Sequence, residues 1–314
     1  MSQDKGPDGL TDTQYKAWDW LVGRELLLDP LHYRDGKYQF GRAFRRLLML
    51  LALGLCITQR GRLGVADALK AGFAGTPSRA RDTALGFCLG MAGMSCFAAI
   101  ALALGAWEPR PGEDPLLLLA PVALAQAIGV AVLEESLFRG FVARSFVIGM
   151  GRWTGVFLSS LLFALLHFLR VKVWVEPGFD PWIGLRTMRE SFGPFFTVAF
   201  LSQTGKTIGL TLIGVALAEA YLRSGALYAP IGMHAGLVFI NKVTHEFTLP
   251  TQAGLGILWG GKKPEASLAA WGLAIGVMAV LALVFRSRGK PWERWSGDAG
   301  MKAPCAEGKE GEQA

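Results

Sequence analysis

Long apolar runs separated by charged stretches constrain this chain more than any other feature. They cover residues 47–58, 84–107, 116–133, 154–169, 208–222, 227–243 and 268–285, with a shorter run at 192–202. Within a bilayer each backbone polar group must be satisfied internally, and a helix does that within one segment. A straight crossing takes about 20 residues. The pattern therefore predicts an all-α fold, a polytopic transmembrane helix bundle of seven spans, or eight if 192–202 crosses. Composition agrees: charged residues are 18% of the chain, against about 25% in a soluble domain.

The net charge of +7 comes from 32 Lys+Arg against 25 Asp+Glu. Basic loops facing the cytoplasm explain it most simply. No basic stripe is interleaved with aromatics, so nucleic acid is not an expected partner. Cys56, Cys88, Cys96 and Cys305 form no C-x-x-C pair, and three of them lie in apolar runs. The expectation is buried small hydrophobes, not a disulfide framework or a cysteine zinc site. Residues 1–12 are polar and do not read as a signal peptide, which leaves membrane entry to the internal segments.

Five regions follow in order. Residues 1–42 form an N-terminal region in which Tyr15, Trp18, Leu21, Val22 and Leu26 fall at helical spacing. That pattern fits an interfacial helix or a soluble amphipathic one. Residues 43–114 carry additional transmembrane helices joined by a basic loop, 59–83. Residues 115–245 are the central block, in which 170–191 reads as an interfacial loop. Residues 246–286 hold a loop and the last transmembrane helix. Residues 287–314 are a polar tail whose composition predicts disorder. Most basic loops fall on one side, but the Arg42, Arg45 and Arg46 cluster falls on the other, which leaves the orientation open.

The chemistry-bearing residues lie in the central block. Glu134 and Glu135 end an apolar run, and a carboxylate at membrane depth costs roughly 3 kcal/mol on insertion scales. A helix end meeting the headgroups is the plain explanation. Two further positions weigh against it. His167 ends Phe163-Ala164-Leu165-Leu166-His167, and His234 lies in Pro230-Ile231-Gly232-Met233-His234-Ala235-Gly236, both in apolar helices. A lone intramembrane histidine commonly bonds one helix to another. Two of them, with a glutamate pair on a third helix, point to one polar centre inside the bundle. Glu135 and Arg139 are four apart and share a helix face, so they are expected to pair. Glu134 points about 100° away and is left as a general base or a metal ligand. Phe138, four beyond it, forms an apolar wall.

E-E-x-x-F-R-G, then F-x-x-x-H, then a histidine in G-x-H-A-G resembles the CPBP family of intramembrane proteases, which includes CAAX proteases and bacteriocin-processing enzymes once grouped as Abi proteins. The resemblance covers roughly residues 115–245 and implies that this block is a catalytic core. It implies Glu134, Glu135, Arg139, His167 and His234 as catalytic residues, with Phe138 and Phe163 against the substrate. The family often carries Asn or Asp four residues after the last histidine, and here that place is Val238. Asn241 lies on nearly the same face as His234, about 10 Å further along the axis, and is the candidate replacement.

The implied reaction is peptide hydrolysis at the membrane, on a polypeptide that is prenylated (CAAX-type) or leader-bearing. Glu134 would activate a water, His167 would orient it, and His234 would stabilise the oxyanion. The metal version places Zn²⁺ on Glu134, His167 and His234. H-E-x-x-H is absent, and the sequence leaves the cofactor undecided between none and Zn²⁺. The implied location is a bacterial inner membrane, multi-pass, with the lipid bilayer and the polypeptide substrate as partners. The rival is a non-enzymatic membrane protein of the same fold that binds a peptide, as immunity or scaffold proteins do. An ion or metal transporter is a third reading, without paired broken helices to support it. Outside the cluster, Glu219 and Arg223 read as a structural ion pair, and Gln126 as a bond between helices. Ser159 and Ser160 have no acid or histidine nearby in sequence.

Overall fold

A computed structural model describes residues 33–34, 37–39, 51, 54, 65–74, 77–110, 116–167, 174–175, 181–193, 204–251, 264–286 and 292. The amphipathic stretch 13–28, most of the runs 47–58 and 192–202, Cys56, Cys305 and nearly all of the tail lie outside the described residues. Helices dominate: α1 (Val65–Gly72), α2 (Arg79–Ala103), α3 (Leu116–Glu135), α4 (Arg144–Met150), α5 (Arg152–Leu166), α6 (Ile183–Phe192), α7 (Thr204–Ser224), α8 (Tyr228–Phe247) and α9 (Leu268–Val284). Segments Arg79–Ala103, Leu119–Met150 and Thr204–Ser224 have the length and apolarity to cross a membrane, and α5 and α9 are shorter apolar helices.

Several boundaries differ from the sequence expectation. The loop 59–83 contains α1, and its last residues open α2. The loop 170–191 holds all of α6 but its last residue, and the helix starts two residues after Pro181. Small strands add to the all-α expectation: β1 (Tyr33–Arg34), β2 (Lys37–Gln39) and β4 (Trp174–Val175) form one sheet. β3 (Trp107–Pro109) pairs antiparallel with β5 (Thr248–Pro250). Cys88 and Cys96 are free and exposed rather than buried, because they lie on the α2 face turned away from the bundle.

The core is organised by close helix contacts at glycine. A Cβ on Gly86 or Gly90 of α2 would stand 2.1 Å from Ala229 O or 2.0 Å from Met233 O, both on α8. One on Gly232 or Gly236 of α8 would stand 2.1 Å from Thr83 O or 2.2 Å from Phe87 O. Small residues let backbones approach where lipid supplies no hydrophobic drive between helices. This contact fixes the α8 turn that carries His234. At Gly225 a φ of 77° lets α7 reverse into α8, a left-handed conformation costly for other residues.

The helix that carries the third apolar run passes beyond the glutamates. It continues through Ser136–Ala143, wound as a π-helix, into α4. Such wide turns recur at functional sites. Gly151, with φ 80°, then turns the chain into α5, bringing α5 back against α4.

Candidate active site

Three helices deliver the ionisable residues to one place. The end of α3 supplies Glu134 and Glu135, and the π-helical turn after it supplies Phe138 and Arg139. The C-terminal end of α5 supplies Phe163 and His167, and α8 supplies His234.

Glu135 and Arg139 form the dry half. Their side chains are 0% and 2% exposed, and Arg139 Nη1 donates to Glu135 Oε1 at 3.0 Å. Arg139 Nη2 donates to Gly214 O of α7 at 3.1 Å. The guanidinium carbon also lies 4.5 Å from the Phe163 ring centre, a cation–π contact strengthened by exclusion of water. Phe138 meets Phe163 edge-on at 5.1 Å. Phe138, expected as a wall beside Glu134, has its ring contacts with Phe163 and with the Arg139 guanidinium carbon, 6.0 Å from its centre.

Glu134 and the two histidines form the more open half. Glu134 Oε2 stands 3.9 Å from His167 Nε2 and 3.9 Å from His234 Nε2. Atoms at that separation are too far apart for a direct hydrogen bond and close enough to share a water. The opposite edges of both rings are engaged. His167 Nδ1 lies 2.9 Å from Phe163 O, and a carbonyl only accepts, so Nδ1 carries the proton. His234 Nδ1 lies 2.7 Å from Glu135 Oε1, and that carboxylate, paired with Arg139, likewise accepts. Each Nε2 is thereby turned toward Glu134, its tautomer set by the partner on the other nitrogen.

Glu134, Glu135, Arg139, His167, His234, Phe138 and Phe163 therefore converge. Asn241 does not join them: it is half-buried on α8, about 10 Å along the axis from His234. Two histidine nitrogens and a carboxylate oxygen are donor types of catalytic zinc. Ligands sharing one tetrahedral zinc at about 2.0–2.1 Å stand roughly 3.3 Å apart, whereas these pairs are at 3.9 Å. Among the described residues no group of three His, Cys, Asp or Glu is arranged to hold an ion. The set does not close on zinc as it stands.

Two polar contacts extend beyond the sequence reading. Glu219 pairs with Arg223 at 2.9 Å as expected, and it also takes Arg152 from α5 at 2.8 Å on each oxygen. Gln126 does bond between helices, and its partner is Lys242, at 2.8 Å. An arginine opening one apolar run and a lysine near the end of another were the available signals.

Apolar helices of crossing length around a buried ionisable cluster define an integral membrane protein with an internal polar site. Residues 116–240 match the family model described as Type II CAAX prenyl endopeptidase Rce1-like. That match is consistent with a CPBP/CAAX protease and supports a protease role. The converging residues all fall inside it, while Asn241 lies just beyond. No curated relative and no solved structure matches the chain.

Proposed function

We propose that the protein is a multi-pass intramembrane endopeptidase of a bacterial inner membrane. It hydrolyses a peptide bond in a membrane-associated polypeptide, CAAX-type or leader-bearing, with a water activated by Glu134. The observation that carries this reading is the placement of Glu134 Oε2 at 3.9 Å from Nε2 of both histidines.

The steps follow from the donors and acceptors. A water between these groups gives one hydrogen bond to neutral His167 Nε2, which aims its lone pair. Glu134 removes the other proton as oxygen bonds to the scissile carbonyl carbon. The carbonyl π pair moves to oxygen, and the oxyanion accepts a hydrogen bond from His234 Nε2–H, the ring carrying both of its protons from the start of the cycle, with Nδ1–H on Glu135. Collapse breaks the C–N bond, and Glu134 returns its proton to the leaving amine. Arg139 holds Glu135 in place through their 3.0 Å contact, so Glu135 serves as a positioning residue.

The test is cleavage of a candidate membrane substrate by purified protein and by Glu134→Gln, His167→Ala and His234→Ala, each verified as folded. Glu134→Gln is expected to lose at least about a hundredfold, the lower range for general-base catalysis. Full cleavage by folded Glu134→Gln would remove Glu134 as the base, whereas no cleavage by the native protein would favour the peptide-binding account.

A further inference from the structure

The short helix α1 lies well before the family-matched segment 116–240, yet it packs on two elements that carry site residues. The first is the π-helical turn Ser136–Ala143. Gly140 follows Arg139 directly, and a Cβ there would stand 3.2 Å from Leu69 Cδ2 of α1 and 3.3 Å from Leu227 Cδ1. The second is the start of α8. Leu227 N–H, one residue before α8, donates to Gly72 O at 2.8 Å, and Tyr228 Oη donates to Phe73 O at 3.2 Å. Leu227 is fully buried. Leu69 and Leu227 therefore meet over the bare backbone of Gly140 and join α1, the π-helical turn and the α7–α8 corner in one contact.

A π-helical turn is a rare winding, with hydrogen bonds from i to i+5. Its relaxation to α-helix would rotate the residues on one side against those on the other by one residue's step, about 100°. Glu134 and Glu135 precede the turn, and Arg139 lies within it. Arg139 reaches Glu135, Gly214 O of α7 and the Phe163 ring of α5 at once. A rotated turn gives up the contacts on the other helices. Gly140 has no side chain with which to hold the turn, and Leu69 and Leu227 supply the apolar surface in its place.

We infer that Leu69 of α1 is a positioning residue, which keeps the turn in its π-helical winding and so keeps Arg139 and Glu135 set against His234. This adds an element from outside the matched segment to the proposed protease site, and its effect on turnover rests on that reading. Leu69 acts through the turn rather than on the reacting atoms. Its loss therefore falls on kcat, with KM little changed, because alignment of catalytic groups is realised in the transition state.

The experiment uses the full-length protein in mild detergent and reads cleavage of the candidate membrane substrate and backbone amide hydrogen exchange. Leu69→Ala is expected to lower kcat at least about tenfold, as small misplacements of catalytic groups do, with KM within about threefold. Exchange is expected to quicken at least about tenfold over residues 136–143 and to stay native over residues 83–93 of α2. Leu69→Met, close in volume, is expected to keep both quantities near native. Leu69→Val withdraws only the tip of the side chain and takes the place of Leu69→Ala if that variant does not fold, with smaller shifts in the same directions. Native kcat, or native exchange over 136–143, in folded Leu69→Ala would overturn the inference. Faster exchange spread evenly through α2 and the turn would also overturn it, as the mark of general loosening. Where the native protein cleaves nothing, the protease reading fails, and exchange over 136–143 still decides whether Leu69 holds the turn.

Discussion

The buried Glu135–Arg139 pair gives the sharpest energetic test. Both groups are removed from water, at 0% and 2% exposure, and share one 3.0 Å contact. Their other partners are His234 and Gly214 O. Arg139→Met leaves a buried carboxylate facing only an imidazole, and Glu135→Leu leaves a buried guanidinium without its anion. Breaking such a pair from one side costs about 3–5 kcal/mol, and burial removes the usual reason to discount that figure. Replacing both partners by apolar groups of similar volume is often nearly neutral. The double variant is therefore expected within about 2 kcal/mol of the native protein, with a coupling energy of at least about 4 kcal/mol in the double-mutant cycle. Reversible unfolding in mixed detergent measures stability, and substrate cleavage measures function. The double variant is expected to fold and to stay inactive, because His234 Nδ1 has lost the carboxylate that sets its tautomer. Single variants costing less than about 1 kcal/mol, or an active double variant, would refute the assigned roles.

Other expectations can be checked alongside. Gly90→Ala puts a methyl against Met233 O, next to His234, and is expected to cost about 1–3 kcal/mol and to depress activity. Gly93→Ala on the same helix meets only Val277 Cγ2, at 3.4 Å, and is expected to leave stability and activity near native in the same assays. Phe163→Ala removes a ring that touches Phe138, Arg139 and His167. Unfolding measurements are expected to show a loss of about 3–5 kcal/mol, with Phe163→Leu much milder. Treatment with a chelator, followed by a cleavage assay, is expected to leave activity intact; loss restored by added zinc would replace the water-by-glutamate route.

How much of this was legible beforehand depends on the range of the interaction. The Glu135–Arg139 pair is an i,i+4 contact, and helical spacing alone proposes it. The convergence of Glu134, His167 and His234 follows from scarcity, since ionisable residues deep in apolar helices have few places to go but one another. What escaped has longer reach or no side-chain signature. The π-helical turn at Ser136–Ala143 is a change in backbone bonding that no residue type announces. Arg152 reaches Glu219 across 67 positions, and only the packing of α5 on α7 selects it over Arg223 alone. The exposure of Cys88 and Cys96 escapes for a related reason. In a lipid-spanning helix both the buried and the lipid faces are apolar, so apolarity does not distinguish them. The finer signal was residue size: Gly86 and Gly90 mark the face of α2 that meets α8, while Cys88 and Cys96 lie off that face. A reading that weighs volume above hydropathy would orient α2 correctly, and with it the turn of α8 that presents His234.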